Sequence, residues 1–231
     1  MSPATRSVST ADAIRTDREQ FDRQIQKTPA FRGDPNKDPK MDTEQRLAQL
    51  ERKMQHLTDR AEILDCIARN ARGCDRHDSA LLASSYHGDG TDEHGYAVNP
   101  GPRYPEYANK VHAAGSLHNM HNITTHTCEI DGDVAHCESY VIGLFLNNDG
   151  KTGRLIAGRY IDRLERRAGE WKIALRRSTV EVLMTGDASI LSSPIFTKLG
   201  YVKGTRDKRD ASYQRPLTLD ETADRWDVQQ G

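Results

Sequence analysis

The order of apolar and polar positions divides this chain into a helical half and a strand-rich half. Leu47, Leu50, Met54, Leu57, Ala61, Leu64, Ala68 and Ala71 recur at alternating spacings of three and four. That rhythm predicts helix, because it keeps one stripe on one side of a 3.6-residue turn. Its second part, Ala61 to Ala71, is expected to pack on a sheet, and its first part, Met41 to Leu57, is either core or a subunit contact. Asp59 followed by Glu62 resembles a capping box, so a new helix is expected to start inside this run. Gly73 is the expected stop.

A short helix is expected from Ser79 to Tyr86 and another from Tyr107 to Ala114. Between them Gly88, Gly90, Gly95, Pro100, Gly101, Pro102 and Pro105 predict turns and loops. After His118 the pattern changes to strands over Ile123–Ile130, Val134–Leu146, Arg154–Arg166 and Glu170–Thr185. The breaks between them are Asp131-Gly132, Asn147-Asn148-Asp149-Gly150 and Arg167-Ala168-Gly169, which read as hairpin turns. Helices followed by an antiparallel meander make an α+β class, with a curved sheet covered by helices and a pocket at its mouth. Residues 1–40 are polar and poor in large apolar groups, so they are expected to form a disordered or loosely ordered extension. The domain is expected over 41–185. Over 186–231, Ser189 to Tyr201 is expected to pack on the core, and the charged remainder to wrap the surface or stay disordered.

Composition removes several function classes. The formal net charge is -1 over 231 residues, so nucleic acid is not the expected partner. No apolar run approaches a membrane span, and the N-terminus has no apolar stretch of the secretory kind. Cys66, Cys74, Cys128 and Cys137 lack CxxC spacing and are expected to be reduced thiols in a cytoplasmic protein. His118, His121, His126 and His136 lie near Cys128 and Cys137, but these spacings match no standard zinc pattern. No metal and no cofactor is expected.

Two segments carry the candidate chemistry. Cys74-Asp75-Arg76-His77-Asp78 closes the helix, and His118-Asn119-Met120-His121-Asn122 opens the strands. A carboxylate at a helix end can fix the tautomer of an imidazole on a strand, and the imidazole can then remove a proton from a substrate.

These pieces, with Asp59 to Ile63, Tyr86-His87-Gly88-Asp89, Asp92-Glu93-His94-Gly95, Asp131-Gly132-Asp133, Glu138-Ser139-Tyr140, Gly158-Arg159-Tyr160 and Trp171 to Arg176, resemble the SnoaL-like branch of the nuclear transport factor 2-like superfamily. The resemblance implies a conical α+β barrel with a deep apolar cavity. It also implies relatives that are cofactor-independent dehydratases, dehydrochlorinases, isomerases or formaldehyde-releasing lyases, many of them trimers. Some members are non-catalytic subunits, so fold alone does not decide function. Position by position, the resemblance puts the base on Asp75 and His118, and a late-strand arginine on Arg176, with Arg177 as competitor if a bulge shifts the register. Relatives carry Lys or Tyr five residues before the aspartate. This chain has Asn70, which can donate a hydrogen bond but carries no charge. Asn70, His121, Asn122, Tyr140 and Tyr160 are the expected substrate-binding residues. The expected activity is a lyase acting on a bulky apolar or aromatic small molecule, releasing water, halide or formaldehyde, in a homo-oligomer with a trimer favoured. The alternatives are an isomerase with the same base and a non-catalytic ligand-binding or accessory subunit.

Overall fold

The computed structural model describes residues 42–219 and 222–226. The expected extension over 1–40 lies outside the described residues. The chain divides into two units, Met1–Arg52 and Lys53–Gly231. In the first unit the description begins with Asp42, whose side chain accepts from the Gln45 amide at 2.8 Å and so caps a helix.

That helix, α1 (Thr43–Asp75), is continuous. The second start expected at Asp59 is absent. Its carboxylate is buried and accepts from Trp171 Nε1 at 2.9 Å, Arg166 Nη1 at 2.7 Å and Gln55 Nε2 at 3.0 Å. A side chain spent on these partners cannot fold back onto its own backbone. The buried face is Asp59, Ile63, Cys66, Ile67, Asn70, Ala71 and Cys74, whereas Leu47, Leu50, Met54 and Leu57 are exposed. Ala61, Leu64 and Ala68 are exposed as well, so that of the expected stripe only Ala71 packs inward. Gly73 does not end the helix. A Cβ there would lie 2.7 Å from the Leu82 backbone, so the glycine permits close packing of α2 (Ser79–Ala83).

The sheet contains β1 (Tyr86–His94), β2 (Ala97–Pro100), β3 (His118–Asp131), β4 (Val134–Leu146), β5 (Thr152–Arg167) and β6 (Glu170–Asp187). Its order is β2-β1-β6-β5-β4-β3, an open curved sheet rather than a closed barrel. The meander β3 to β6 is antiparallel, as the turn residues predict. Gly132, Gly150 and Gly169 adopt positive φ at the three hairpin turns. β1 and β2 replace the loops expected from the glycine-rich stretch. β1 adds to β6 in parallel, with an irregularity between Tyr86 and Thr91, and Gly90 lets the backbone pass where a Cβ would meet the Ile173 carbonyl at 2.7 Å. α3 (Tyr104–Gly115) turns Tyr104 and Ala108 inward. The core joins Ile63, Ile67 and Cys74 of α1 to Leu82, Tyr86, Leu164, Trp171 and Ile173.

Past β6, α4 (Pro194–Thr197) is capped by Ser193, but Ile190, Ile195, Leu199 and Tyr201 stay exposed rather than joining the core. The following segment is tied down by polar contacts. Asp210 holds Arg76 Nη1 at 2.7 Å, and Tyr213 donates to Asp78 at 2.7 Å. No helix among the described residues is long and apolar enough to cross a membrane.

Candidate active site

The end of α1 delivers Asp75 to the start of β3. Its Oδ2 accepts the backbone N–H of His121 at 2.9 Å. Its Oδ1 accepts His121 Nδ1 at 2.7 Å and Asn119 Nδ2 at 2.9 Å. Asp75 is buried, so these donors offset the cost of removing a carboxylate from water. They also fix the His121 ring with Nδ1 toward the carboxylate, leaving Nε2 as the basic atom. Asn119 is itself oriented from the C-terminal segment. Arg206 Nη2 donates to Asn119 Oδ1 at 2.6 Å and to Ser116 Oγ at 2.8 Å.

The expected pairing of Asp75 with His118 is therefore corrected: the partner is His121. Alternate residues of a strand face opposite ways, so Asn119 and His121 turn toward Asp75 and His118 turns away. The His118 ring lies 5.4 Å from the Trp226 ring. It lines a groove of about 490 Å³ together with Asp75, Asn119, Met120, Leu144, Leu155 and Met184, and that groove meets the His121 cavity at Phe145 and Arg154. Burial, with Lys203, Arg206 and Arg76 nearby, pushes its pKa down to about 4.

His121 lines a cavity of about 520 Å³ between α3 and the inner face of the sheet. Tyr104, Tyr107, Ala108, Val111 and His112 come from α3, and Val141, Phe145, Ile156 and Tyr160 from the sheet. His94, Arg154 and Ser178 add polar groups. Of the other expected substrate-binding residues, Tyr160 lines this cavity, whereas Asn70, Asn122 and Tyr140 do not. Tyr140 is exposed, because the alternation of β4 turns Val141 and Gly143 inward instead. Asn122 donates to the Ile142 carbonyl at 3.2 Å.

Arg176 also lies outside the lining. Its guanidinium is buried behind Tyr160, with its carbon 4.0 Å from that ring centroid. Nε and Nη2 donate to Asp162 at 2.8 and 2.7 Å, and Nη1 donates to Asn70 Oδ1 at 2.7 Å. Asn70 Nδ2 then donates to Ser85 Oγ at 2.9 Å. Asn70 and Arg176 thus brace the wall from behind. Arg177 is exposed and pairs with Glu93, so a shifted register does not bring it inward.

His112 was not singled out by motif. Burial, then the neighbouring His121 and His77, pushes its pKa down to about 3. Its Nδ1, and Nε of Arg154, are buried without a hydrogen-bond partner among the described residues. The signal for His112 was present in the helical spacing of Tyr104, Tyr107, Ala108, Val111 and His112, which places them on one face. Away from the cavity, His126, Cys128 and Cys137 bring donor atoms within 4.8 Å of one another, a set suited to a soft metal. All four cysteines are free thiols.

Residues 55–177 match the family described as a SnoaL-like domain. Among solved structures, a type 2 hexachlorocyclohexane dehydrochlorinase (LinA) is 24% identical with a TM-score of 0.55, over 59% of this chain and 94% of that one. A protein of unknown function from Mycobacterium tuberculosis is 27% identical with a TM-score of 0.50, over 55% of this chain and 74% of that one. A candidate scytalone dehydratase from Novosphingobium aromaticivorans is 14% identical with a TM-score of 0.52, over 57% of this chain and 90% of that one. The likenesses at 24% and 14% establish the fold. Comparison with curated proteins returned no match.

Proposed function

The chain belongs to the SnoaL-like domain family, and from that premise we propose that it is a lyase that removes a proton from a bulky apolar or aromatic small molecule, with Asp75 and His121 as general base. The observation that carries this reading is the buried Asp75 carboxylate, which holds His121 Nδ1 at 2.7 Å on the wall of a largely apolar cavity. Its volume of about 520 Å³ is in the range of small-molecule sites. The dehydrochlorinase and the candidate dehydratase named above share the fold and have names that denote eliminations.

In this reading His121 Nε2 takes the proton, the released electron pair becomes a double bond, and the leaving group departs. Asp75 offsets the positive charge that develops on the imidazole. Positioned proton transfer supplies about 10²–10⁴-fold, so exclusion of water and stabilisation of charge must contribute the rest. The unpartnered Nε of Arg154 and Nδ1 of His112 are suited to polar atoms of the substrate. Arg176 is committed to Asp162 and Asn70, so its proposed part is to hold Tyr160 and the cavity wall rather than to receive the leaving group.

The test is a product screen by mass spectrometry over β-hydroxylated, halogenated and diaryl-propanoid compounds. Loss of water, hydrogen halide or formaldehyde should appear with the wild type and with His118→Ala, and vanish with His121→Ala. A product of unchanged mass with a moved double bond would make the protein an isomerase. Turnover that survives His121→Ala, or no turnover across the panel, would overturn the proposal.

A further inference from the structure

The cavity holds a second histidine in the same kind of setting as His121. His94 ends β1, and Asp92 lies two residues earlier on the same face. Asp92 has 0% exposure, and its Oδ1 accepts His94 Nδ1 while its Oδ2 accepts the Tyr86 hydroxyl. Burial and the adjacent Asp92 raise the pKa of Tyr86 well above its ordinary value, so the phenol remains a donor. The ring of His94 stacks on Tyr104 at 5.1 Å. Its Nε2 lies 2.9 Å from Ser178 Oγ and 3.2 Å from the Tyr104 hydroxyl. Both His94 and His121 line the one cavity.

Each histidine thus has Nδ1 on a buried carboxylate whose other oxygen is held by a separate donor. For Asp75 that donor is a backbone N–H, and for Asp92 it is a tyrosine. Two such pairs exceed what proton abstraction alone requires. A halide departs as a stable anion and needs no acid. A hydroxyl group leaves readily only when it is protonated as its carbon–oxygen bond breaks.

We propose that Asp92 and His94 form a second acid–base dyad in this cavity, that His94 protonates the departing oxygen, and that the substrate therefore loses a hydroxyl group as water. The inference rests on Asp75 and His121 as the base. His121 Nε2 takes the proton from carbon, and the carbon–hydrogen electron pair becomes the carbon–carbon double bond. The carbon–oxygen bond breaks toward oxygen, which takes the Nε2 proton of a His94 that enters the step as imidazolium, its charge balanced by Asp92, and leaves as water. His121 ends protonated and His94 neutral, and exchange with solvent returns both to their starting states. Ser178 and Tyr104, already within reach of His94 Nε2, mark where the hydroxyl group sits.

The experiment compares a benzylic β-hydroxyketone with the matching β-chloroketone, each assayed with wild type, His94→Gln and His121→Gln. In His94→Gln, loss of water should fall by about 10²–10⁴-fold more than loss of chloride does. The retained chloride reaction also shows that the variant is folded. His121→Gln should lose both reactions. If His94→Gln eliminates water normally while His121→Gln does not, the second dyad is refuted and the base stands. The dyad is equally refuted if His94→Gln loses both reactions, or if wild type accepts only the chloride. Elimination of water by His121→Gln at the wild-type rate, or a wild type inert to both ketones, removes the base and this inference with it.

Discussion

Replacing Asp75 by Asn exchanges one oxygen of the network for an NH₂ group and has a consequence that follows from hydrogen-bond direction. In the native site Oδ1 accepts from Asn119 Nδ2 and His121 Nδ1, and Oδ2 accepts from the His121 backbone. An amide has one acceptor oxygen and one donor NH₂. The backbone N–H cannot be reversed, so the amide oxygen must take the Oδ2 position. The NH₂ then faces His121 Nδ1 and Asn119 Nδ2. Asn119 cannot turn over without giving up Arg206, which donates to its Oδ1 at 2.6 Å. His121 is thereby driven to the tautomer with its proton on Nε2, the atom that should accept the substrate proton. The expected loss is about 10²–10⁴-fold in kcat, or about 3–5 kcal/mol of barrier. The stability cost is about 1–3 kcal/mol, for one buried donor left facing another. Nitrogen chemical shifts of the His121 ring report the tautomer directly, without a substrate. The screen hit identified with wild type then reports kcat. An Asp75→Asn protein with Nδ1 still protonated, or with undiminished kcat, would refute the reasoning.

The remaining predictions concern the frame around the site. Arg176→Met leaves Asp162 buried without its guanidinium, and should cost about 3–5 kcal/mol in urea unfolding because the abandoned carboxylate is uncompensated; a loss below about 1 kcal/mol would show that water reaches Asp162. Acid should destabilise the fold in a definite window. The pKa values of His77, His112 and His118 lie at about 4, 3 and 4 in the folded protein, against an ordinary 6.5. The unfolded chain therefore binds more protons between these limits, so stability is full above about pH 6.5 and is lost as pH falls toward the folded values. Urea midpoints that stay flat from about pH 6.5 down to about pH 4 would contradict this.

Much of this protein was legible in local sequence. The spacing of three and four marks α1, and Asp131-Gly132, Asn147 to Gly150 and Ala168-Gly169 mark the three turns of the meander. Period and turn chemistry are short-range properties, so composition over a few residues carries them. The family pattern also marked Asp75 as the carboxylate at the end of α1. The strands β1 and β2 were hidden among glycines and prolines, because β1 is stabilised by its pairing with β6, more than seventy residues away. The same holds for the cap expected at Asp59, which long-range bonds to Arg166 and Trp171 claim instead.

Choice of partner was the province of tertiary structure. Four histidines stand between 118 and 136, and nothing in their spacing says which one meets Asp75. The face each one presents depends on where β3 enters the sheet, and a shift of one residue exchanges every inward for every outward side chain. Leu146 pairs with His118, and Gly143 pairs with His121. That register, with the end of α1 resting on β3, turns His121 to the cavity and His118 to Trp226. It also places Arg206, remote in sequence, on Asn119 beside the carboxylate. Sequence determined the kinds of element and the chemical groups available; packing at a distance decided which of those groups share one wall, because side-chain direction in a strand is a property of the sheet it joins.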